Sequence, residues 1–159
     1  MLLAVIAIMA TAATPSLSTA LTECRNARAW APSRLLLQGL LDAEEEVGVP
    51  EHLQGMTLAA ACHESGYRPW VTGDDGRAVG VLQMWPGWRR RGVDRLDPFM
   101  SARAWLERIA VLVPKARRLG CRRPWIAAWA WVGSGPKGYT CRAPRHLDVL
   151  RRFQRDGGH

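Results

Sequence analysis

Four cysteines, at positions 24, 62, 121 and 141, place the strongest constraint on how this 159-residue chain can fold. None belongs to a CxxC pair, and the spacing of cysteine and histidine matches no zinc site. An even number of cysteines in a small domain favours two disulfides, for which sequence alone allows three pairings. Cys121 and Cys141 flank a single predicted helix, so we expect 121–141 together with 24–62. The alternative is that Cys62 is a buried thiol.

The N-terminus indicates export. Met1 to Ala13 is an uncharged apolar run of signal-peptide length, and it is too short to span a bilayer comfortably. Ser18, Thr19 and Ala20 then supply small residues where a signal peptidase cleaves. We expect residues 1–20 to be a signal peptide, with a short uncleaved anchor as the alternative. Residues 21–159 would then be one domain in the periplasm, the cell envelope or the medium, without a stable membrane span.

The remainder of the chain reads as helices joined by loops rich in Gly and Pro. Helical periods or helix-start residues occur at five places: after Pro32-Ser33, over 58–65 with Thr57 as cap, after Asp97-Pro98, over 124–131, and from Leu147 to Phe153. Pro114 is expected to bend or end the third of these helices. Only the segment 79–84 looks extended. The predicted fold class is mainly α, with at most a small β element.

Glu64 is the best candidate for chemistry. It ends an otherwise apolar helix, with Ala60 and Ala61 one turn earlier. A carboxyl group beside apolar surface loses hydration, which raises its pKa toward the range of a general acid. The alternative is a solvated glutamate at a helix end. A zinc-protease HExxH motif is excluded, because Tyr67 stands where the second histidine belongs, and no metal is expected.

Two linked segments carry a family resemblance. Glu64 to Pro69 (ESGYRP) and Gly76 to Met84 (GRAVGVLQM) resemble the signature of the lytic transglycosylases with a soluble-transglycosylase (SLT), lysozyme-like domain. Val81-Leu82 replaces the usual Leu-Met of that family. The resemblance covers roughly residues 50–136. It implies an α+β lysozyme-like fold that is mainly helical, with a substrate groove across the helix that ends at Glu64.

The resemblance also implies an activity on peptidoglycan without any cofactor. Glu64 would protonate the oxygen of the β-1,4 bond between N-acetylmuramic acid and N-acetylglucosamine, and would then act as a base on the sugar's own 6-hydroxyl. Ser65, Gly80 and Gln83 are carried over as substrate-binding positions. The family's third motif, Ala-Tyr-Asn-x-Gly, falls on residues 127–136, which contain neither Tyr nor Asn. Trp131 is the candidate for the Tyr position, with Trp129 second.

Three alternatives to this activity stay open, of which DNA binding rests only on the basic charge. Hydrolysis of the lysozyme type would need a second carboxylate, for which Asp75 in the Asp74-Asp75 loop is the candidate. The alternative is that these aspartates only form a turn, in which Asp and Gly are common. A basic wall-binding protein without activity would keep the fold and explain the missing Tyr and Asn.

Aromatic content and charge bear on the partner. Trp70, Trp85 and Trp88 are candidate platforms for sugar rings, whereas Trp105, Trp125 and Trp129 are assigned to the core. The net charge of +8 favours an anionic partner, and no nucleic-acid-binding motif is present. The family resemblance implies that this partner is the glycan strands of peptidoglycan, and we expect the protein to be a monomer. A role in a secretion, conjugation or phage assembly stays open.

Overall fold

A computed structural model describes residues 17–24, 27, 30–89, 91–134 and 138–156. These residues form seven α-helices and one two-stranded antiparallel sheet. The elements are α1 (Leu17–Glu23), α2 (Arg34–Val47), α3 (Met56–Ser65), β1 (Thr72–Gly73), β2 (Ala78–Val79), α4 (Pro86–Arg89), α5 (Pro98–Arg118), α6 (Pro124–Ser134) and α7 (Leu147–Asp156). The prediction of a mainly α fold with a small β element is confirmed.

Two predicted helix starts are confirmed by their caps. The Ser33 side chain accepts a hydrogen bond from the backbone N–H of Leu36 at the start of α2. At the start of α5, the Asp97 carboxylate accepts from the N–H of Met100, and Pro98 occupies the first helical position. Each cap satisfies a backbone donor that the first helical turn leaves without a partner.

Helix α3 begins differently from the prediction, and of the two outcomes expected at Pro114 the structure excludes one. Thr57 does not cap α3, which begins at Met56, two residues before the predicted start. The Thr57 hydroxyl instead contacts the carbonyl of Leu40 and the carboxyl of Glu44. Pro114 does not end α5, which continues to Arg118. The proline ring lies on the exposed side of that helix, while Val113 and Ala116 on the other side are buried. Burial of this face outweighs the one backbone hydrogen bond that the proline removes.

Helix α3 runs through the centre of the fold. Every residue from Met56 to Cys62 is buried, because α2 and α7 pack against the helix. Helices α2 and α6 pack on α5 to complete the core. The helix emerges from the core only in its last turn, where His63 and Glu64 are exposed. The fold therefore presents a carboxylate at the end of an apolar helix, which is the position that the sequence indicates.

The two disulfides join Cys24 to Cys62 and Cys121 to Cys141. This is the expected pairing, and the thiol alternative for Cys62 is wrong. Disulfides persist in oxidising compartments, so both agree with export. The first ties the end of α1 to α3, two residues before Glu64.

The predicted signal segment is described only in part. Residues 1–16, with the alternative anchor Met1 to Ala13, lie outside the described residues. Residues 17–20 belong to α1, where Ala20 is fully buried and its carbonyl accepts a hydrogen bond of 3.1 Å from the Tyr67 hydroxyl. Among the described ranges, no helix combines the length and the apolar character needed to cross a membrane.

Glu44 fixes the beginning of α3. Its buried carboxyl group accepts hydrogen bonds of 2.6 Å from the backbone N–H groups of Gly55 and Thr57. It thereby occupies the N-terminus of α3 from a position in α2. Burial raises its pKa from 4.5 to about 7, against the opposing effect of the hydrogen bonds from Thr57 and Gly55.

Candidate active site

Glu64 makes its closest polar contact with a histidine from the other end of the chain. Its Oε1 lies 2.7 Å from Nε2 of His146, and about one third of the Glu64 side chain is exposed. His146 precedes α7, and its carbonyl accepts hydrogen bonds from the N–H groups of Val149 and Leu150. Because α7 packs against α3, this helix start is held beside the end of α3.

The surroundings of His146 favour one arrangement of its proton. The ring is stacked on Trp129, with planes 22° apart and centroids 6.0 Å apart. Its Nδ1 is buried and has no hydrogen-bond partner within the described ranges. A proton on Nδ1 would leave a buried donor unsatisfied, so of the two neutral tautomers the one with the proton on Nε2 is favoured. His146 then donates to the Glu64 carboxylate.

Glu64 and His146 line a cavity of about 280 Å³. Asp74 and Gln83 line the same cavity from the segment that follows α3. Its aromatic lining includes Trp85, which is 48% exposed. The cavity thus combines a carboxylate with amide, imidazole and aromatic groups, the kinds of side chain that bind a sugar through hydrogen bonds and ring stacking.

Gln83 is fixed by the loop that carries it. The residue has a φ of 47°, in the left-handed region, and its amide nitrogen donates to the carbonyls of Val71 and Gly80 at 3.0 and 2.9 Å. Its side-chain oxygen lies against Gly73, where an added Cβ atom would come within 2.6 Å of it. These contacts hold Gln83 in the cavity wall, so that Glu64 and Gln83, both predicted from the motifs, lie on one cavity.

Ser65 and Gly80 shape the site without lining it. The buried Ser65 hydroxyl lies 3.0 Å from the carbonyl oxygen of Ala61 and 2.9 Å from that of Val81, and so joins α3 to the following loop. Gly80 has a φ of 80°, and a Cβ atom there would come within 2.0 Å of the carbonyl oxygen of Arg95. A side chain would displace that backbone, which explains the glycine.

Trp131 also lies away from the cavity lining. It is buried, its indole N–H donates to the carbonyl of Thr140 at 2.7 Å, and its ring meets that of Tyr139 edge to face. Trp131 thus anchors the segment after α6, beside the disulfide of Cys141. The residue that contacts Glu64 is His146, which lies ten positions beyond the region of family resemblance and belongs to no motif that sequence reasoning used.

The other tryptophans divide between cavity and core. Trp85 and the half-buried Trp88 line the cavity, and the guanidinium of Arg77 lies 4.7 Å from the centre of the Trp85 ring. Trp70 is 58% exposed but lines a neighbouring cavity. Trp105 is buried and contributes to the cavity wall. Two of the three predicted platforms therefore border Glu64.

The aspartates also separate by position. Asp74 lines the cavity of Glu64, whereas Asp75 is exposed and is not among its lining residues. Asp97 caps α5, and Asp94 accepts a hydrogen bond from the N–H of Leu96. If a second carboxylate takes part in chemistry, the geometry favours Asp74 over the predicted Asp75.

His63 stands beside this pair at the end of α3. Its ring meets that of His146 edge to face, with centroids 4.6 Å apart. The pKa of His63 is lowered, first by partial burial, then by the charge of His146; Glu64 opposes this and Arg145 adds to it. Each of these effects except that of Glu64 disfavours the charged form of the His63 imidazole.

Comparison with known proteins identifies no relative of this chain. No protein-family model matches the chain, and neither a curated protein nor a solved structure matches it. The candidate site is therefore defined by the geometry of the chain itself.

Proposed function

We propose that this chain is an exported lytic transglycosylase with an SLT, lysozyme-like fold. It cleaves the β-1,4 bond between N-acetylmuramic acid and N-acetylglucosamine in peptidoglycan. The observation that carries the proposal is that Glu64, at the end of a buried helix, shares one cavity with Gln83 and Trp85. Glu64 and Gln83 come from the two sequence segments that resemble the family, and Trp85 directly follows the second segment.

The proposed reaction uses one carboxyl group twice. The protonated Glu64 carboxyl donates its proton to the glycosidic oxygen, and the bond breaks through an oxocarbenium-like state. The resulting carboxylate then takes the proton of the 6-hydroxyl of the same muramyl residue, whose oxygen attacks the anomeric carbon and closes a 1,6-anhydro ring. The nucleophile is already tethered to the sugar, so the step needs neither water nor a second carboxylate.

The cavity walls suit a sugar chain. Trp85 and Trp88 offer ring faces on which the C–H groups of a pyranose can stack, and Gln83 adds a polar amide group to the lining. Farther away, Arg117 and Arg118 at the end of α5 are exposed and followed by exposed Arg122 and Arg123. This basic segment complements the negative charge of wall polymers.

His146 is proposed as the positioning residue for Glu64. Its Nε2–H group fixes one carboxyl oxygen, which is the task that the family's Tyr would perform. Replacing His146 by Leu should lower kcat on murein by roughly tenfold, the value of a lost hydrogen bond to a charged group, with a smaller change in KM. His146→Gln, which retains an N–H near the position of Nε2, should recover part of the rate. Steady-state kinetics on solubilised glycan strands measure both parameters.

A purely structural role for His146 predicts a different result. The His146 ring packs on Trp129 and its Nδ1 is unsatisfied within the described part of the chain, so an apolar replacement is not expected to lower the thermal midpoint. If both variants lose activity together with thermal stability, the positioning role is wrong.

Hydrolysis of the lysozyme type is the second candidate, because Asp74 lines the same cavity as Glu64. Asp74 would hold the attacking water or stabilise the developing positive charge. The two reactions leave different products: transglycosylation leaves 1,6-anhydromuramyl ends, whereas hydrolysis leaves reducing ends. Mass spectrometry of muropeptides released from purified sacculi therefore tests the proposal, which expects anhydro ends.

A further inference from the structure

Three potential metal ligands meet at the end of α3. His63, Glu64 and His146 each offer one ligand atom, and these atoms all lie within 4.8 Å of one another. Two imidazoles and one carboxylate form a donor set that suits Zn²⁺ and related transition-metal ions. The three residues come from two distant parts of the chain, so the HExxH pattern excluded from the sequence could not reveal them.

We propose that His63, Glu64 and His146 bind a divalent transition-metal ion of the Zn²⁺ class, and that the bound ion inhibits the enzyme. Binding follows from the three ligands alone. Inhibition rests on the proposed function, because it requires that Glu64 be the group that transfers the proton. A metal ion on its oxygens occupies the lone pairs that would otherwise hold that proton.

The ligand atoms need only small shifts to accept the ion. Ligand atoms about 2.1 Å from a tetrahedral zinc lie about 3.4 Å from one another, compared with distances of up to 4.8 Å here. His63 and Glu64 are exposed, so their side chains can rotate toward the ion. His146 is 8% exposed and stacked on Trp129, which makes it the preorganised ligand. Three protein ligands leave a fourth position for water.

The same contacts keep the affinity below that of a structural zinc site. Binding through Nε2 of His146 breaks the 2.7 Å hydrogen bond to Glu64 and moves the proton to Nδ1. Ligand histidines usually donate their second N–H to an acceptor, and Nδ1 of His146 has none in the described residues. The ion is therefore expected to exchange with solution, as a reversible inhibitor must.

Binding is tested first, without reference to activity. The full, disulfide-bonded protein, free of any affinity tag, is titrated with ZnCl₂ by calorimetry and in competition with a chelating dye. One ion should bind per chain, and His63→Gln should weaken it by at least about tenfold, the least that loss of a supporting contact costs a metal site. His52→Gln is the matched control, since His52 is exposed at the opposite end of α3. Equal affinity in wild type and His63→Gln would overturn the proposal.

Inhibition is tested next as the ratio of murein-cleavage rates with and without ZnCl₂ inside each variant, so that changes in basal rate cancel. Zinc should inhibit wild type and His52→Gln alike, and the concentration for half-inhibition should rise by about tenfold in His63→Gln. Stimulation by zinc, or equal inhibition of all three proteins, would overturn the inhibitory role. Zinc binding by a protein that does not cleave murein would refute the proposed function and leave the metal site standing.

Discussion

Replacing Glu64 by Gln is expected to lower the rate of murein cleavage by roughly 10²–10⁴, the contribution of a positioned general acid. The amide has nearly the same shape as the carboxylic acid, but it can neither deliver a proton to the glycosidic oxygen nor take one from the 6-hydroxyl. Its oxygen can still accept the hydrogen bond from Nε2 of His146. The variant therefore removes the proton transfer and preserves the contacts around it.

The fold should survive this substitution, because the Glu64 side chain is one-third exposed and caps no helix. Glu51→Gln is the matched control, since Glu51 is an exposed glutamate in the turn before α3, away from the cavity. Release of soluble muropeptides from sacculi gives the rate, and sedimentation with sacculi reports binding. A variant with unchanged release would refute the catalytic role, whereas loss of binding together with release would point to misfolding.

Ionisation of Glu44 is expected to have the largest effect on the free energy of unfolding, and this effect makes the stability depend on pH. Its pKa is raised from 4.5 to about 7 by burial, so the native protein holds this proton more tightly than the unfolded chain does. The stabilisation is therefore complete below about pH 4.5 and is lost as the pH rises through about 7. A pKa difference of this size corresponds to about 3 kcal/mol in the free energy of unfolding.

Urea unfolding of wild type and Glu44→Gln between about pH 4 and pH 8 measures this effect. The variant cannot ionise, so its free energy of unfolding should gain about 3 kcal/mol relative to wild type over that range. The free energies of unfolding of wild type and Glu44→Gln should also differ by an amount that does not depend on pH, because the amide nitrogen of the variant faces the N–H donors of Gly55 and Thr57. Glu45→Gln, on the exposed side of the same helix, is the control and should follow wild type. Parallel curves for wild type and Glu44→Gln would contradict the shifted pKa.

The parts of the fold that the sequence predicts are those with local causes. Ser33 and Asp97 cap helices because each satisfies a backbone donor three residues away, and such signals can be read without tertiary structure. The start of α3 has no local cause of this kind. Its cap comes from Glu44, on another helix, and the sequence therefore favoured Thr57 instead. Helix α1 is likewise held by distant contacts, including the hydrogen bond from Tyr67 to Ala20.

The site residues likewise differ in whether the nearby sequence or distant packing determines their position. Glu64 and Gln83 could be placed together from the sequence, because their two motifs lie close in the chain and in one register. His146 could not, since 82 positions separate it from Glu64 and only the packing of α7 on α3 brings it near. Alignment with the third motif predicts Trp131, but the direction of its side chain depends on the chain after α6, where the Thr140 carbonyl accepts its indole N–H.

The most direct test of the central claim, that Glu64 alone serves as acid and base, is the chemistry of the new muramyl ends. Sacculi are digested in water enriched in heavy oxygen, and the released muropeptides are weighed by mass spectrometry, with Glu64→Gln as the blank. Transglycosylation predicts 1,6-anhydromuramyl ends, lighter by one water and free of label, because the attacking oxygen is the sugar's own. Labelled reducing ends would show that water is the nucleophile and would contradict the account.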